Sequence, residues 1–215
     1  MNFLDHPVVT REEWNAQRNE LLTKEKELTR QRDALTKKLR ELPWVKVEEA
    51  YVFDTVRGKE SLKDQFEDKS QLIVYHFMFA PDWEAGCKNC SFWGDHYDSL
   101  THHLLQRDVS FKVISRAPLE KLQNYETRMG WKFDWISSFP STFNLDFGVT
   151  KGDSESPGFS IFARRGEDVF HTYFTTGRGL EVLNTTYGAL DLVPKGRNED
   201  GLEYPMAWVK RHDEY

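Results

Sequence analysis

The 215 residues predict an α/β protein: a central mixed sheet flanked by helices, with a long helix in front and an irregular tail behind. Three observations carry this. A stretch from Thr10 to Leu42 holds neither Gly nor Pro. Two apolar runs, 71–79 and 109–115, alternate with helix-like segments. Late in the chain, two strand-like runs meet at Arg165-Gly166-Glu167, a hairpin-like turn. Alternation of strand and helix implies parallel strands with helices on the faces, and the hairpin adds an antiparallel part.

The elements follow in order. The first block is rich in Glu, Lys, Arg, Gln and Leu, all good helix formers. Thr10-Arg11-Glu12-Glu13 matches a capping box, in which hydroxyl and carboxylate satisfy the first free N–H groups. Pro43 stops the helix. Trp14, Leu21, Leu28, Leu35 and Leu42 recur every seven residues, but the second heptad position is mostly charged (Arg18, Glu25, Arg32). The seam is narrow: a helix strapped to its own domain, or one that pairs two copies into a homodimer. Nine basic and seven acidic residues between 10 and 41 make it no basic arm.

WVKVEEAYVFDT (44–55) followed by GKESL (58–62) reads as a strand or hairpin, leading to a short helix around Leu62 to Phe66. Gln71 to Phe79 (QLIVYHFMF) reads as a strand buried on both faces. A helix is expected from Ser91 to Gln106, a buried strand from Val109 to Ser115, and a helix from Pro118 to Met129 ended by Gly130. Residues 131–137 alternate like a strand. Phe159 to Arg164 and Asp168 to Thr175 form the hairpin, and a helix runs from Gly179 to Leu190. The expected organisation is a helical extension over 1–43, a domain over 44–192 and a tail over 193–215 packed on it. The order is that of a thioredoxin-like fold with an insertion and an N-terminal extension.

Composition bounds the function. Apolar residues make up 39% and charged residues 30%, and 15 Phe, 8 Tyr and 7 Trp supply bulk for a core. A net charge of -6 argues against a general nucleic-acid-binding surface. No stretch approaches the ~18 apolar residues of a membrane span. The start, MNFLDHPVVTREEW, lacks a basic beginning and an apolar middle, so no secretory signal is expected and a cytoplasmic location is. Two cysteines are too few for a disulfide scaffold; both lie in one C-x-x-C, which in a cytosolic chain reads as redox or metal chemistry.

That motif, Cys87-Lys88-Asn89-Cys90, follows a buried strand and opens a helix. Unpaired N–H groups and the positive end of the helix dipole stabilise a thiolate there, and Lys88 adds charge. Cys87 is therefore the expected nucleophile and Cys90 the resolving thiol, able to reach back and displace a mixed disulfide. Trp83 and Trp93 could form an aromatic platform for a partner. Pro157 stands where a thioredoxin-like domain carries a cis-proline that binds extended substrate backbone, so it is expected cis. His76, Asp82 and Glu84 are candidates for tuning the thiols or moving a proton. A zinc half-site with His96, His102 and His103 is the rival reading; the spacing of two zinc-ligating histidines is absent, so no metal is expected. No nucleotide-binding or hydrolase motif is present, and no bound cofactor is required.

HPVVTREEW, LTKEKELTRQRDAL, LPWV, QLIVYHFMFAPDWEAGCKNCSFWGD, SRAPLEKL, RMGW, FNLDFGV, VFHTYFTTGRGLEVLN, DLVPKGR and WVKRHDEY carry a resemblance over almost the entire chain. It is to a thioredoxin-like family of bacteria and fungi catalogued as domain of unknown function number 899, often labelled predicted dithiol-disulfide oxidoreductases. The resemblance implies a thioredoxin-like fold and a thiol redox role on protein or small-molecule thiols and disulfides, without naming a substrate. Members typically carry Pro-Ser or similar between the cysteines, where Lys88-Asn89 stand here. Peroxiredoxins offer a second comparison, through Pro81 ahead of Cys87 and through FNLDFGV. A thiol peroxidase needs a Thr or Ser for the peroxide and an Arg for the thiolate; position 85, near where that hydroxyl would fall, is Ala. A non-catalytic thioredoxin-like binding module is the third alternative.

Overall fold

A computed structural model describes residues 5–215; residues 1–4, on which part of the signal-sequence reading falls, lie outside the described residues. Helix α1 (Arg11–Arg40) starts on the expected capping box: the Thr10 hydroxyl accepts from the Glu13 N–H, and the Glu13 carboxylate accepts from the Thr10 N–H at 2.9 Å. None of its residues is buried. Trp14, Leu21, Leu28, Leu35 and Leu42 are all exposed, so the seam lies open.

Strands β1 (Val45–Lys46), β2 (Val52–Thr55) and β3 (Gly58–Ser61) follow, and the expected short helix is a single 3-10 turn at Asp64–Phe66. Next come β4 (Gln71–His76), α2 (Lys88–Gly94), α3 (Asp98–Leu105), β5 (Val109–Ser115), α4 (Leu119–Met129), β6 (Trp135–Ser137) and α5 (Phe143–Asp146). The expected single helix over 91–106 is two helices, broken around Asp95 to Tyr97. Gly130 ends α4 in the left-handed conformation (φ 67°), which costs Gly nothing. A small two-stranded sheet pairs β7 (Thr150–Lys151) with β8 (Ser154–Glu155). The hairpin of β9 (Gly158–Arg165) and β10 (Asp168–Thr176) then leads through a 3-10 segment (Gly177–Leu183) to α6 (Thr185–Leu190).

The main sheet has eight strands in the order β1-β10-β9-β4-β5-β6-β2-β3. β4, β5 and β6 are parallel, β9 runs antiparallel to β4, and β10 antiparallel to β9. This is the thioredoxin-like arrangement expected from the order of elements. Alternation along β4 sorts the two cores. Tyr75, with Phe77 beyond it, faces α2, α3 and α4 in a core rich in Trp and Tyr. Leu72 and Val74 face the other way, with Phe53, Phe66, Ile114 and Phe143. Among the described residues no helix is long and apolar enough to cross a membrane.

His76 belongs to the second face: its ring stacks on Phe143 at 5.6 Å, and its Nε2 shares a 2.7 Å hydrogen bond with the Ser160 hydroxyl. Burial, aided by the neighbouring His171, holds its pKa down at about 3, so it is neutral in the fold. The unfolded chain takes up a proton below about pH 6.5 and the folded chain does not, so stability falls as pH falls through that window. Between pH 6.5 and about pH 5 the loss is ~2 kcal/mol from this side chain alone. His76→Gln should flatten the decline of Tm over that range, even though its Tm at pH 7 is lower. An unchanged slope would locate the acid sensitivity elsewhere.

Candidate functional site

Beyond β4 the chain turns through 77–86 and enters α2 at Cys87, its N-cap. The Cys87 N–H donates to the Met78 carbonyl at 3.0 Å, and the Met78 N–H points back at Cys90 Sγ at 3.5 Å. Gly86 makes this crossing feasible: a Cβ there would lie 2.7 Å from the Phe77 ring and 3.0 Å from that of Tyr125.

Both cysteines are free; Cys87 is half-buried and Cys90 buried. The Cys90 thiol donates a hydrogen bond to the Cys87 sulfur, the largest influence lowering its pKa to about 6. Burial opposes this; the N–H groups of Cys90 and Asn89 and the charge of Arg211 assist it. Cys90 moves well upward, first through burial and then through its bond to, and proximity of, Cys87. The Tyr75 hydroxyl donates to the Cys90 sulfur and is itself held neutral by burial. The two shifts run in opposite directions, which favours one thiolate, at Cys87, beside one thiol, at Cys90.

The C-terminal segment closes over this corner. Arg211 donates to the Gly86 carbonyl and the Tyr125 hydroxyl, each at 2.8 Å, and to Glu214 at 2.9 Å. Trp208 packs edge-on to Phe92 at 5.5 Å. Arg128 on α4 pairs with Asp213 and Glu214, and His212 with Asp95.

The residues expected around the dithiol are distributed unevenly. Lys88 turns from Cys87 to the Ala207 carbonyl at 3.2 Å, so the nearby cation is Arg211 instead. His76 lies on the far face of the sheet, one residue out of phase with Tyr75. Asp82 and Glu84 are exposed, and neither is among the main influences on either thiol. Trp83 is half-buried against the first core, its carbonyl bound by Lys121 at 3.0 Å. Trp93 is buried, donating to the Leu180 carbonyl at 2.9 Å and packing against Tyr187. The expectation of a cis-proline is corrected: no described peptide bond is cis, so the bond before Pro157 is trans. Pro157 leads directly into β9, and its carbonyl accepts from the Thr176 hydroxyl at 2.6 Å, which suits an ordinary strand entry. His96 bonds Thr185 and Thr186, while His102 and His103 are exposed on α3. Among the described residues no group of three or more His, Cys, Asp or Glu is placed to hold a metal.

Two residues at the site escaped the sequence reading. Tyr75 sits in a run that looks uniformly apolar; the period-2 alternation that separates it from His76 was the available signal. Arg211 comes from a tail whose sequence carries no period. Beside the dithiol a cavity of about 980 Å³ reaches in to Cys90, Asn89 and Tyr75, with Trp93 and Pro157 on its walls and residues 194–200 along its rim.

Several solved structures are similar to this chain. A single-site mutant of PrxQ from Xylella fastidiosa is 13% identical, with 65% of this chain and 89% of that one covered and a TM-score of 0.46. The peroxidoxin BcpB from Mycobacterium tuberculosis is 15% identical, covering 67% and 97%, at 0.46. StoA from Bacillus subtilis is 11% identical, covering 61% and 90%, at 0.44. None of the curated proteins matches the chain. The family model that matches spans residues 3–215, and by that match the chain belongs to the family described as "Bacterial protein of unknown function (DUF899)".

Proposed function

We propose that the chain is a dithiol–disulfide oxidoreductase. One observation carries the reading: within one C-x-x-C, Cys87 stands half-buried at the N-cap of α2, its pKa lowered first by the Cys90 thiol, while burial raises that of Cys90 itself. The thiolate is the nucleophile in exchange chemistry. Cys87 attacks a disulfide, forms a mixed disulfide and releases one thiolate. Cys90 then gives up its proton, attacks Cys87 Sγ and expels the second thiolate, leaving an internal disulfide. A thiol reductant restores the pair. No bound cofactor takes part.

The test is a redox titration against glutathione with thiol trapping. A single two-electron transition involving Cys87 and Cys90 is expected. A midpoint near ~-270 mV would mark a reductase, and one near ~-120 mV an oxidant. A pair that never forms the internal bond sinks the reading.

A second reading has one observation in its favour. A peroxidase needs a guanidinium beside the thiolate, and Arg211 supplies one. It also needs a hydroxyl for the peroxide, and Ala85 stands near where that would fall. Stoichiometric sulfenic acid at Cys87 with rapid peroxide consumption would make this reading the better one.

A further inference from the structure

Helix α1 is 30 residues long and buries none of them. At a rise of ~1.5 Å per residue it spans about 45 Å. A helix in a protein draws most of its stability from an apolar face laid against something, and among the described residues nothing covers this one. Trp14, Leu21, Leu28, Leu35 and Leu42 form one stripe, and each is between 43% and 66% exposed. A single exposed Leu needs no explanation, but a continuous stripe marks an interaction surface.

The charges set between these apolar residues indicate what covers them. Arg18, Glu25 and Arg32 stand four positions after Trp14, Leu21 and Leu28, on the same face of the helix. The order along the stripe is plus, minus, plus. Glu25 pairs with Arg18 of its own helix at 2.8 Å, while the Arg32 guanidinium has no ionic partner among the described residues. A second copy laid parallel and in register would set each of the three against its own like charge. Laid antiparallel about Leu28, it sets Leu28 beside its counterpart, Leu21 beside the partner's Leu35, and Trp14 beside the partner's Leu42. Glu25 then lies within one position of the partner's Arg32, and two-fold symmetry makes the contact twice. Space argues the same way. The sheet begins at Val45, just past the stripe. A parallel pair crowds both domains at one end of the rod, and an antiparallel pair carries them at opposite ends.

We propose that α1 is a dimerisation helix, packed antiparallel on α1 of a second copy across a two-fold axis beside Leu28. The inference is independent of the dithiol chemistry.

Sedimentation velocity of the full, reduced chain over roughly 1 to 100 µM decides the matter. The expected species at the upper end is a dimer of the 25.3 kDa chain. Leu28→Asp, at the axis, should raise the dimer Kd about a hundredfold, with the alkylation rate of Cys87 unchanged as evidence of an intact domain. Arg32→Glu exchanges one good helix former for another and should raise Kd about tenfold. Adding Glu25→Arg to it should recover most of that loss, because the exchanged charges meet again across the axis. A parallel pair is indifferent to both changes, since like meets like throughout. A chain monomeric at roughly 100 µM would overturn the proposal and leave the stripe to another protein or to a lipid surface. A dimer that survives Leu28→Asp would place the interface elsewhere. A dimer insensitive to Arg32→Glu would overturn the antiparallel arrangement.

Discussion

Cys87→Ser is expected to abolish disulfide exchange, with a loss of roughly 10³-fold or more, since a nucleophile that acts as a unit with its partner leaves little behind when removed. Cys90→Ser should differ in kind: Cys87 still attacks, and the protein accumulates as a mixed disulfide that mass spectrometry detects. A third variant separates reactivity from resolution. The Cys90 hydrogen bond is the largest influence lowering the Cys87 pKa to about 6. Cys90→Ala removes that donor and should move the alkylation midpoint of Cys87 upward, whereas Cys90→Ser retains an O–H and should hold it low. Equal midpoints in all three proteins would mean that the neighbouring thiol does not set the charge. The same depressed pKa links to stability. Its contribution is complete above the ordinary thiol value of 9.0 and is lost as pH falls through about 6. The reduced protein should therefore lose Tm relative to the oxidised one as pH drops across that window.

Arg211→Met is expected to have the second largest effect, on two readouts. Removing the guanidinium withdraws a positive charge from Cys87, so the alkylation midpoint rises, by less than in Cys90→Ala because Arg211 stands behind the hydrogen bonds in influence. It also removes the bonds to Gly86, Tyr125 and Glu214 that anchor the last segment. Charge-assisted hydrogen bonds are worth ~1.5–3 kcal/mol each, so limited proteolysis after residue 193 should accelerate by an order of magnitude or more. Arg211→Lys keeps the charge without the planar fork. It should restore the midpoint better than it restores protease resistance. A tail as resistant in Arg211→Met as in the parent would assign its anchoring to Trp208 and Val209 instead.

Much of the scaffold was legible because local rules coincide with the fold. The capping box at Thr10 and Glu13, the Gly130 stop and the turn at Arg165-Gly166-Glu167 are each set by a few neighbouring residues. Longer-range facts were not. Lys88 stands beside Cys87 in sequence yet bonds Ala207, and Arg211 stands far from it yet supplies the charge. His76 and Tyr75 exchange the roles that composition suggests: the imidazole serves the far core, while the phenol serves the sulfur. Sequence nearness is a poor guide wherever a site is assembled from strand alternation and a returning tail.

The clasp between Arg211 and Gly86 joins positions 125 apart in sequence. Contacts of such separation form late, after loop-closure entropy has been overcome. On the ribosome, the cysteines emerge with a bare surface around them and without the guanidinium. Only when the distal segment docks does the cleft acquire its outer wall and the thiolate its cation. Maturation of this corner therefore reports that synthesis has passed residue 211 and that the rest of the polypeptide has settled.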